Sequence, residues 1–204
     1  MKVVISIIDY GMGNLRSVEK ALEYIGEQVV ITSDREEIEK STGIILPGVG
    51  AFPDAIENLK SRELDMVLRT AVDKNKPMLG ICLGMQLLFE ESEEVSLNKG
   101  LGFLKGTVRR LYGGIKIPHM GWNSLKVERN CPILEDIEEG SYAYFVHSFY
   151  ADVENKENLD AISFYGIDIP AVVSSGNLFG VQFHPEKSGD IGIQMLKNFV
   201  KLTK

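Results

Sequence analysis

The segment Pro77-Met78-Leu79-Gly80-Ile81-Cys82-Leu83-Gly84-Met85-Gln86 constrains this chain more tightly than any other. Apolar, strand-like residues run into Gly80, Cys82 stands between two glycines, and a helical pattern begins at once. Gly-x-nucleophile-x-Gly is the grammar of a sharp strand-to-helix turn, here with sulfur in place of a hydroxyl. Neighbouring backbone crowds such a turn, so its flanking positions leave no room for a side chain. With 20 glycines in 204 residues, a given cysteine gains both by chance about once in a hundred. The spacing predicts a helix over Leu83–Glu91 that aims backbone N–H groups and its positive dipole end at the sulfur, favouring thiolate. The alternative for a free cysteine is a small buried residue closing a strand.

The rest of the first half supplies the neighbours that such a turn needs. Val3–Ile8 is a predominantly apolar, β-branched run, as in a strand buried on both faces. Asn14 can cap a helix whose Leu15, Val18, Leu22 and Ile25 form one stripe, ended by Gly26. Gln28–Thr32 reads as a strand, Asp34 opens a short acidic helix, and Gly43–Leu46 is a third strand ending in Pro47-Gly48-Val49-Gly50. Pro53 sits where a first helical turn tolerates proline, and helical segments continue to about Val72. Pro77–Cys82 is the fourth strand. This alternation implies a mostly parallel central sheet flanked by helices, with ligands beyond the carboxyl ends of its strands.

The second half changes character. Gly100–Leu111, Ile115–Ile117, Ser124–Val127, Tyr142–Val146, Ala161–Tyr165, Ala171–Ser174 and Leu178–Gln182 read as short strands between Gly, Pro and Asn turns. After Gly189 and Asp190, the residues Ile193, Leu196, Phe199 and Val200 mark an amphipathic last helix. No linker, repeat or low-complexity tract interrupts the sequence, so we read residues 1–204 as one α/β domain with an antiparallel portion added late.

Composition removes several function classes. The net charge of −7 and the lack of a basic stripe argue against nucleic acid as a partner. Acidic runs at Glu36–Glu39 and Glu90–Glu94 read as solvated faces. Two cysteines, Cys82 and Cys131, fit a reducing cytoplasm rather than a disulfide framework. The run at Val3–Ile8 is too short for a signal sequence, and none reaches transmembrane length. Cysteine and histidine occur without ligand spacing, so no metal or other cofactor is expected.

A thiolate nucleophile needs a base that can return a proton to the leaving group, and the chain holds three histidines. His184 ends the strand-like run Leu178–Phe183, a position like that of Cys82, and Glu186 comes two residues later. Extended chain would put those two side chains on one side, with Pro185 biasing His184 toward that backbone. Glu186 can then accept from one imidazole nitrogen while the other faces sulfur. His119 and His147 read as hydrogen-bonded structural or packing residues. An oxyanion formed at an acyl carbon would find the N–H of Leu83 and a second donor, Gly50, from the loop Pro47-Gly48-Val49-Gly50.

Together, Pro47-Gly48-Val49-Gly50, Gly80-Ile81-Cys82-Leu83-Gly84-Met85-Gln86 and Phe183-His184-Pro185-Glu186 resemble the class I glutamine amidotransferases, a flavodoxin-like family with a Cys-His-Glu triad. Asp9-Tyr10-Gly11-Met12-Gly13-Asn14, Pro118-His119-Met120-Gly121-Trp122-Asn123 and His184-Pro185-Glu186-Lys187-Ser188-Gly189 narrow the resemblance. Within the family they are similar to the glutaminase subunits of imidazole glycerol phosphate synthases, in histidine biosynthesis. The resemblance implies hydrolysis of glutamine to glutamate and ammonia, which passes to a separate (β/α)8-barrel cyclase subunit. It implies that Cys82, His184 and Glu186 are catalytic, that Gln86 helps hold glutamine, and that the backbone near Ser148 and Phe149 receives its amino-acid end. It also places Asn14, Trp122 and Lys187 toward the barrel.

Three other readings remain at this level. A Cys-dependent hydrolase of the same shape would release product to solvent, although Pro118–Asn123 speaks against it. An amidotransferase could feed another synthase, such as one building surface sugars. A flavodoxin-like binding module would leave Cys82 buried and inert.

Overall fold

A computed structural model describes residues 4–204, so Val3, expected in the first strand, lies outside the described residues. The first half alternates as its apolar runs imply: β1 (Val4–Ile8), α1 (Leu15–Tyr24), β2 (Gln28–Thr32), α2 (Arg35–Lys40), β3 (Gly43–Gly48), α3 (Phe52–Ser61), α4 (Leu64–Asp73), β4 (Met78–Cys82) and α5 (Leu83–Gln86). The Asn14 side chain accepts from Ser17 N at the start of α1, and Asp34 does the same for α2 from Glu37 N. The helical stretch after Pro53 breaks at Glu63, whose φ of 57° lies in the left-handed region.

The second half carries β5 (Phe89–Ser92), β6 (Asn98–Lys99), β7 (Leu104–Arg110), β8 (His119–Ser124), β9 (Lys126–Val127), β10 (Tyr142–His147), β11 (Phe149–Val153), β12 (Leu159–Phe164), β13 (Asp168–Ser175), β14 (Leu178–Val181) and the last helix α6 (Gly189–Lys201). The main sheet has the order β2-β1-β3-β4-β14-β13-β12-β9. Its first five strands run parallel, and β14, β13, β12 and β9 pair antiparallel. Beside it stand the pair β10-β8 and the four strands β11-β7-β5-β6.

Strand alternation divides the core between the two faces. Ile5, Ile7, Ile45, Leu79 and Ile81 pack with Val18 and Leu22 of α1 and Leu196 and Phe199 of α6. Ile8, Ile44, Leu46 and Met78 face Ile38, Leu59, Leu64 and Leu68 of α2–α4. Burying each such side chain contributes roughly 1.5–3 kcal/mol. A parallel strand with both faces covered must read as an apolar run, which is why these strands are visible in the sequence.

Three expectations give way. The helix expected over Leu83–Glu91 ends at Gln86. The returning chain claims the residues after it, because Leu101 N bonds Leu87 O, Phe103 N and Leu104 N bond Leu88 O, and Phe89 pairs with Leu104. Ile115–Ile117 is not a strand; Ile115 and Ile117 instead pack on Leu111, Tyr150 and Ile169. The motif Pro118–Asn123 is mostly strand, and the strand expected over Ser124–Val127 is split between the ends of β8 and β9.

Candidate active site

Cys82 closes β4 with φ 55° and ψ −111°, a backbone conformation that an L-residue holds only when its surroundings enforce it. The enforcement is visible on both sides. A Cβ at Gly84 would overlap the carbonyl oxygen of Leu46, and one at Gly80 would sit 2.7 Å from the carbonyl oxygen of Gly84. Both flanking glycines are therefore required by close approach of backbone. The four-residue α5 is too short for the helix-dipole argument made from sequence, and other contacts define the surroundings of the sulfur.

Sheet register brings the remaining groups to this end. Gly48 of β3 lies opposite Cys82, and Val181 of β14 lies opposite Ile81. His184 comes three residues after β14 and is held by its N–H to Tyr144 O at 3.0 Å. Its Nδ1 stands 2.8 Å from Glu186 Oε1, with the two side chains 2% and 1% exposed. The local backbone differs from the extended path expected: Pro185–Lys187 is a single 3-10 turn. Ser188 Oγ donates to His184 O at 2.6 Å and accepts from Tyr144 N at 3.0 Å, fastening that turn to β10. Among the described residues His184 Nε2 has no hydrogen-bond partner. Burial opposes charge on the ring, but the Cys82 sulfur and the Glu186 carboxylate outweigh it, pushing the pKa up to about 10.

A cavity of about 400 Å³ opens on this group. Its walls include Cys82, His184 and all five positions expected to meet substrate: Gly50, Leu83, Gln86, Ser148 and Phe149. Gly50 has φ +110°, and the preceding Pro47 O accepts from the fully buried Tyr10 Oη at 2.8 Å. Gln86 Nε2 donates to Phe149 O at 2.9 Å and to Gln182 Oε1 at 3.0 Å.

Two further residues at the site escaped the sequence reading. Gln182 is fully buried and donates through Nε2 to Cys82 Sγ at 3.8 Å. A polar residue in the apolar run Leu178–Phe183, two before His184, was the available signal, because a buried amide needs partners. Glu94 lines the cavity and its Oε2 accepts from Phe52 N at 2.8 Å, so this end of the acidic run is not simply a solvated face.

Asn14, Trp122 and Lys187 lie outside the cavity wall. Trp122 is 55% exposed and meets Tyr144 edge-on, with ring centroids 6.0 Å apart. Lys187 is exposed at the end of the turn that carries Glu186, and α1, capped by Asn14, packs against that turn. A larger groove of about 880 Å³ runs past Arg129, Cys131 and Lys201 and contains none of these groups. Burial pushes the Cys131 thiol up to about 12, so the second cysteine is held as a neutral thiol. Among the described residues, no group of His, Cys, Asp or Glu is arranged to hold a metal ion, and no helix is long and apolar enough to cross a membrane.

Comparison with known proteins gives concordant matches. The family described as glutamine amidotransferase class-I matches residues 6–202. A Bacillus cereus (strain G9842) protein named imidazole glycerol phosphate synthase subunit HisH is 58% identical over 96% of this chain and 93% of its own length. A protein of the same name from Bacillus anthracis (strain A0248) is 57% identical over the same shares. Among solved structures, PurLQS from Thermotoga maritima aligns over 100% of both chains with a TM-score of 0.79 at 24% identity. A protein described as a glutamine amidotransferase aligns over 98% of each chain with a TM-score of 0.78 at 20% identity.

Proposed function

Because this chain belongs to the class-I glutamine amidotransferases, alongside the HisH subunits of imidazole glycerol phosphate synthase, we propose that it hydrolyses glutamine and hands the ammonia to a (β/α)8-barrel cyclase subunit in histidine biosynthesis. The observation that carries this reading is the strained Cys82, facing one cavity with a histidine whose far nitrogen is held 2.8 Å from a buried carboxylate. Residues 1–204 act as one amidotransferase domain in the cytoplasm, where free thiols stay reduced.

The chemistry is set by charge and reach. Glutamine's side-chain amide is a poor electrophile, so it needs a thiolate nucleophile and a stabilised oxyanion. Cys82 Sγ attacks the amide carbon, and the N–H groups of Leu83 and Gly50 hold the resulting oxyanion. His184, charged beside Glu186, protonates the departing nitrogen, so ammonia leaves and a thioester remains. The neutral imidazole then takes a proton from water, whose oxygen attacks the thioester, and glutamate leaves as sulfur is restored. Glu186 keeps the His184 ring oriented and supports its positive form. Gln182 donates to the sulfur that carries negative charge at the start and end of the cycle.

Glutamine's other end is zwitterionic and needs both signs of partner. Backbone at Ser148 and Phe149 receives its amino-acid end, Gln86 helps hold it, and the Glu94 carboxylate is placed to take the ammonium group. Asn14, Trp122 and Lys187 form part of the barrel-facing rim. The test is glutamine hydrolysis by the isolated chain and by its complex with the barrel subunit and that subunit's nucleotide substrate. Hydrolysis stimulated by the complex is expected; absence of glutamate production under every condition would refute the reading.

A further inference from the structure

His119 and His147, which the chemistry above does not use, are 2% and 6% exposed and belong to one chain of hydrogen bonds. Its direction is fixed by a single carbonyl. His147 Nδ1 lies 2.8 Å from Phe149 O, and a carbonyl only accepts, so the hydrogen is on Nδ1. In the neutral ring Nε2 must then accept, and its partner at 3.0 Å is His119 Nδ1, which therefore donates. His119 Nε2 accepts in turn from Asn123 Nδ2 at 3.3 Å. The Asn123 amide cannot be reversed without loss, because Nδ2 also donates to Phe164 O at 2.9 Å and Oδ1 accepts from Ser124 N at 2.9 Å. With that amide fixed, a proton added to either ring would set one N–H against another.

The ends of this chain are in different parts of the molecule. At one end, Phe149 O takes both His147 and Gln86 Nε2, while Ser148 O is held by Leu111 N at 2.9 Å. The His147 bond closes across Ser148, the corner between β10 and β11 on the cavity wall. At the other end is β8, whose alternation puts His119 and Asn123 on its inner side and Met120 and Trp122, 63% and 55% exposed, on its outer side. His119 is fixed between two rings, Tyr165 at 3.9 Å and Phe145 at 4.8 Å, both stacked on it.

We propose that His119 and His147 are positioning residues: the relay Asn123 to His119 to His147 to the Phe149 carbonyl holds the Ser148–Phe149 backbone in the shape that receives glutamine's amino-acid end, and ties that shape to β8. The inference rests on the glutaminase reading and adds to it the device that sets substrate affinity. Without His147 the Phe149 carbonyl keeps its bond from Gln86 Nε2 but loses the one that fixes it from the β8 side, so the carbonyl and the backbone N–H groups beside it are held less tightly. The consequence is a loss of substrate binding rather than of chemistry at sulfur, because neither ring touches the reacting atoms. Burial lowers both rings from the ordinary histidine range, to about 4 for His119 and about 3 for His147, in keeping with a relay that has no place for an extra proton.

The test uses the complex with the barrel subunit and measures KM and kcat for glutamine, with iodoacetamide alkylation of Cys82 as a control. His147→Phe is expected to raise KM about tenfold with kcat changed less than about threefold and alkylation unchanged. His147→Gln keeps one donor and one acceptor and is expected to recover most of that loss. His119→Phe preserves the ring stack while removing both of its hydrogen bonds, and should raise KM about threefold. Wild-type KM in both phenylalanine variants, or a fall in kcat at constant KM, would overturn the assignment. In case either variant fails to fold, imidazole ¹⁵N spectra of the wild type at pH 7 decide: Nδ1–H on both rings is expected, and Nε2–H on either ring sinks the relay. A wild-type complex that hydrolyses no glutamine would instead remove the glutaminase reading, leaving the tautomer result to stand alone.

Discussion

His184 and His147 share one cavity wall, are nearly equally buried, and each places Nδ1 2.8 Å from an oxygen acceptor. Their charge states nevertheless part. Burial works against the charged form of both. At His184 the acceptor is a carboxylate and the other neighbour is the Cys82 sulfur, and the ring is driven up to about 10. At His147 the acceptor is a neutral carbonyl and the other neighbours are imidazoles, and the ring is driven down to about 3. A hydrogen bond thus orients a buried imidazole, while the charge on its acceptor decides whether it carries a proton. On the proposed function, one kind of side chain would serve proton transfer in one place and a fixed polar strut in the other.

The largest expected effect comes from removing the sulfur. Cys82→Ala should reduce glutamine-dependent synthesis by several orders of magnitude while synthesis from ammonium salts remains almost intact. Equal loss with both nitrogen sources would remove the division of labour between the two subunits. The same variant sharpens the comparison, because His184 loses one of its two charge-stabilising neighbours while the hydrogen bonds of His119 and His147 are untouched. Next in size is Glu186→Gln, which retains shape but replaces the charged acceptor with a neutral one. Hydrolysis should fall by about 10²–10⁴-fold with Cys82 still open to alkylation. Wild-type turnover would mean that another acid orients His184.

The two environments also predict opposite limbs of stability against pH. His119 and His147 are depressed in the folded state, so below about 6.5 the unfolded chain binds protons that the folded chain refuses. Stability from these rings is full above that value and lost as pH falls toward their folded values of about 4 and 3. His184 is raised, so its contribution is full below about 6.5 and lost as pH climbs toward 10. Urea midpoints should drop on the order of 1 M between pH 6.5 and 4.5 in the wild type, and by less in His119→Phe. Identical acid limbs would show that the His119 ring already titrates normally in the fold.

The parts of the fold that the sequence makes legible are those whose environment is uniform along a segment. Strands β1, β3 and β4 are covered on both faces and read as apolar runs, β1 interrupted by the buried Ser6, whose hydroxyl pairs with that of Ser41. The elbow at Cys82 is legible because both glycines answer to close backbone, Gly80 to Gly84 and Met85 within the same turn and Gly84 to Leu46 on the adjacent strand β3. What stayed hidden depends on chain that returns from afar. Leu83–Leu88 has helical composition, yet its end is set by the chain at Leu101–Leu104, which supplies the competing hydrogen bonds. Gln182 is polar in an apolar run, and its partners Gln86 and Cys82 lie about a hundred residues earlier. His119 and His147 were readable as structural, but not as a directed pair, since that direction comes from Phe149 O and the Asn123 amide.

The smallest expected effect concerns the rim beside His184 rather than its ring. Ammonia is lost to water or protonated as soon as it leaves the site, so a synthase gains only when hydrolysis occurs against its own entrance. Residues around the charged histidine should then meet the partner, and Lys187 stands on the same turn as Glu186, its N–H bonded to His184 O at 3.0 Å. Trp122 reaches the same edge through Tyr144, whose carbonyl accepts the His184 N–H. An exposed lysine is ordinarily a solvated charge worth at most about 1 kcal/mol in a pair. Its removal at a partner surface should therefore be modest: Lys187→Ala is expected to weaken barrel binding or nucleotide-stimulated hydrolysis by roughly fivefold. Alkylation of Cys82 in the isolated chain should stay at the wild-type rate, because the lysine does not line the cavity. Binding and ammonia transfer equal to wild type would make Lys187 ordinary surface, and would separate the charged histidine from the docking rim that this reading places around it.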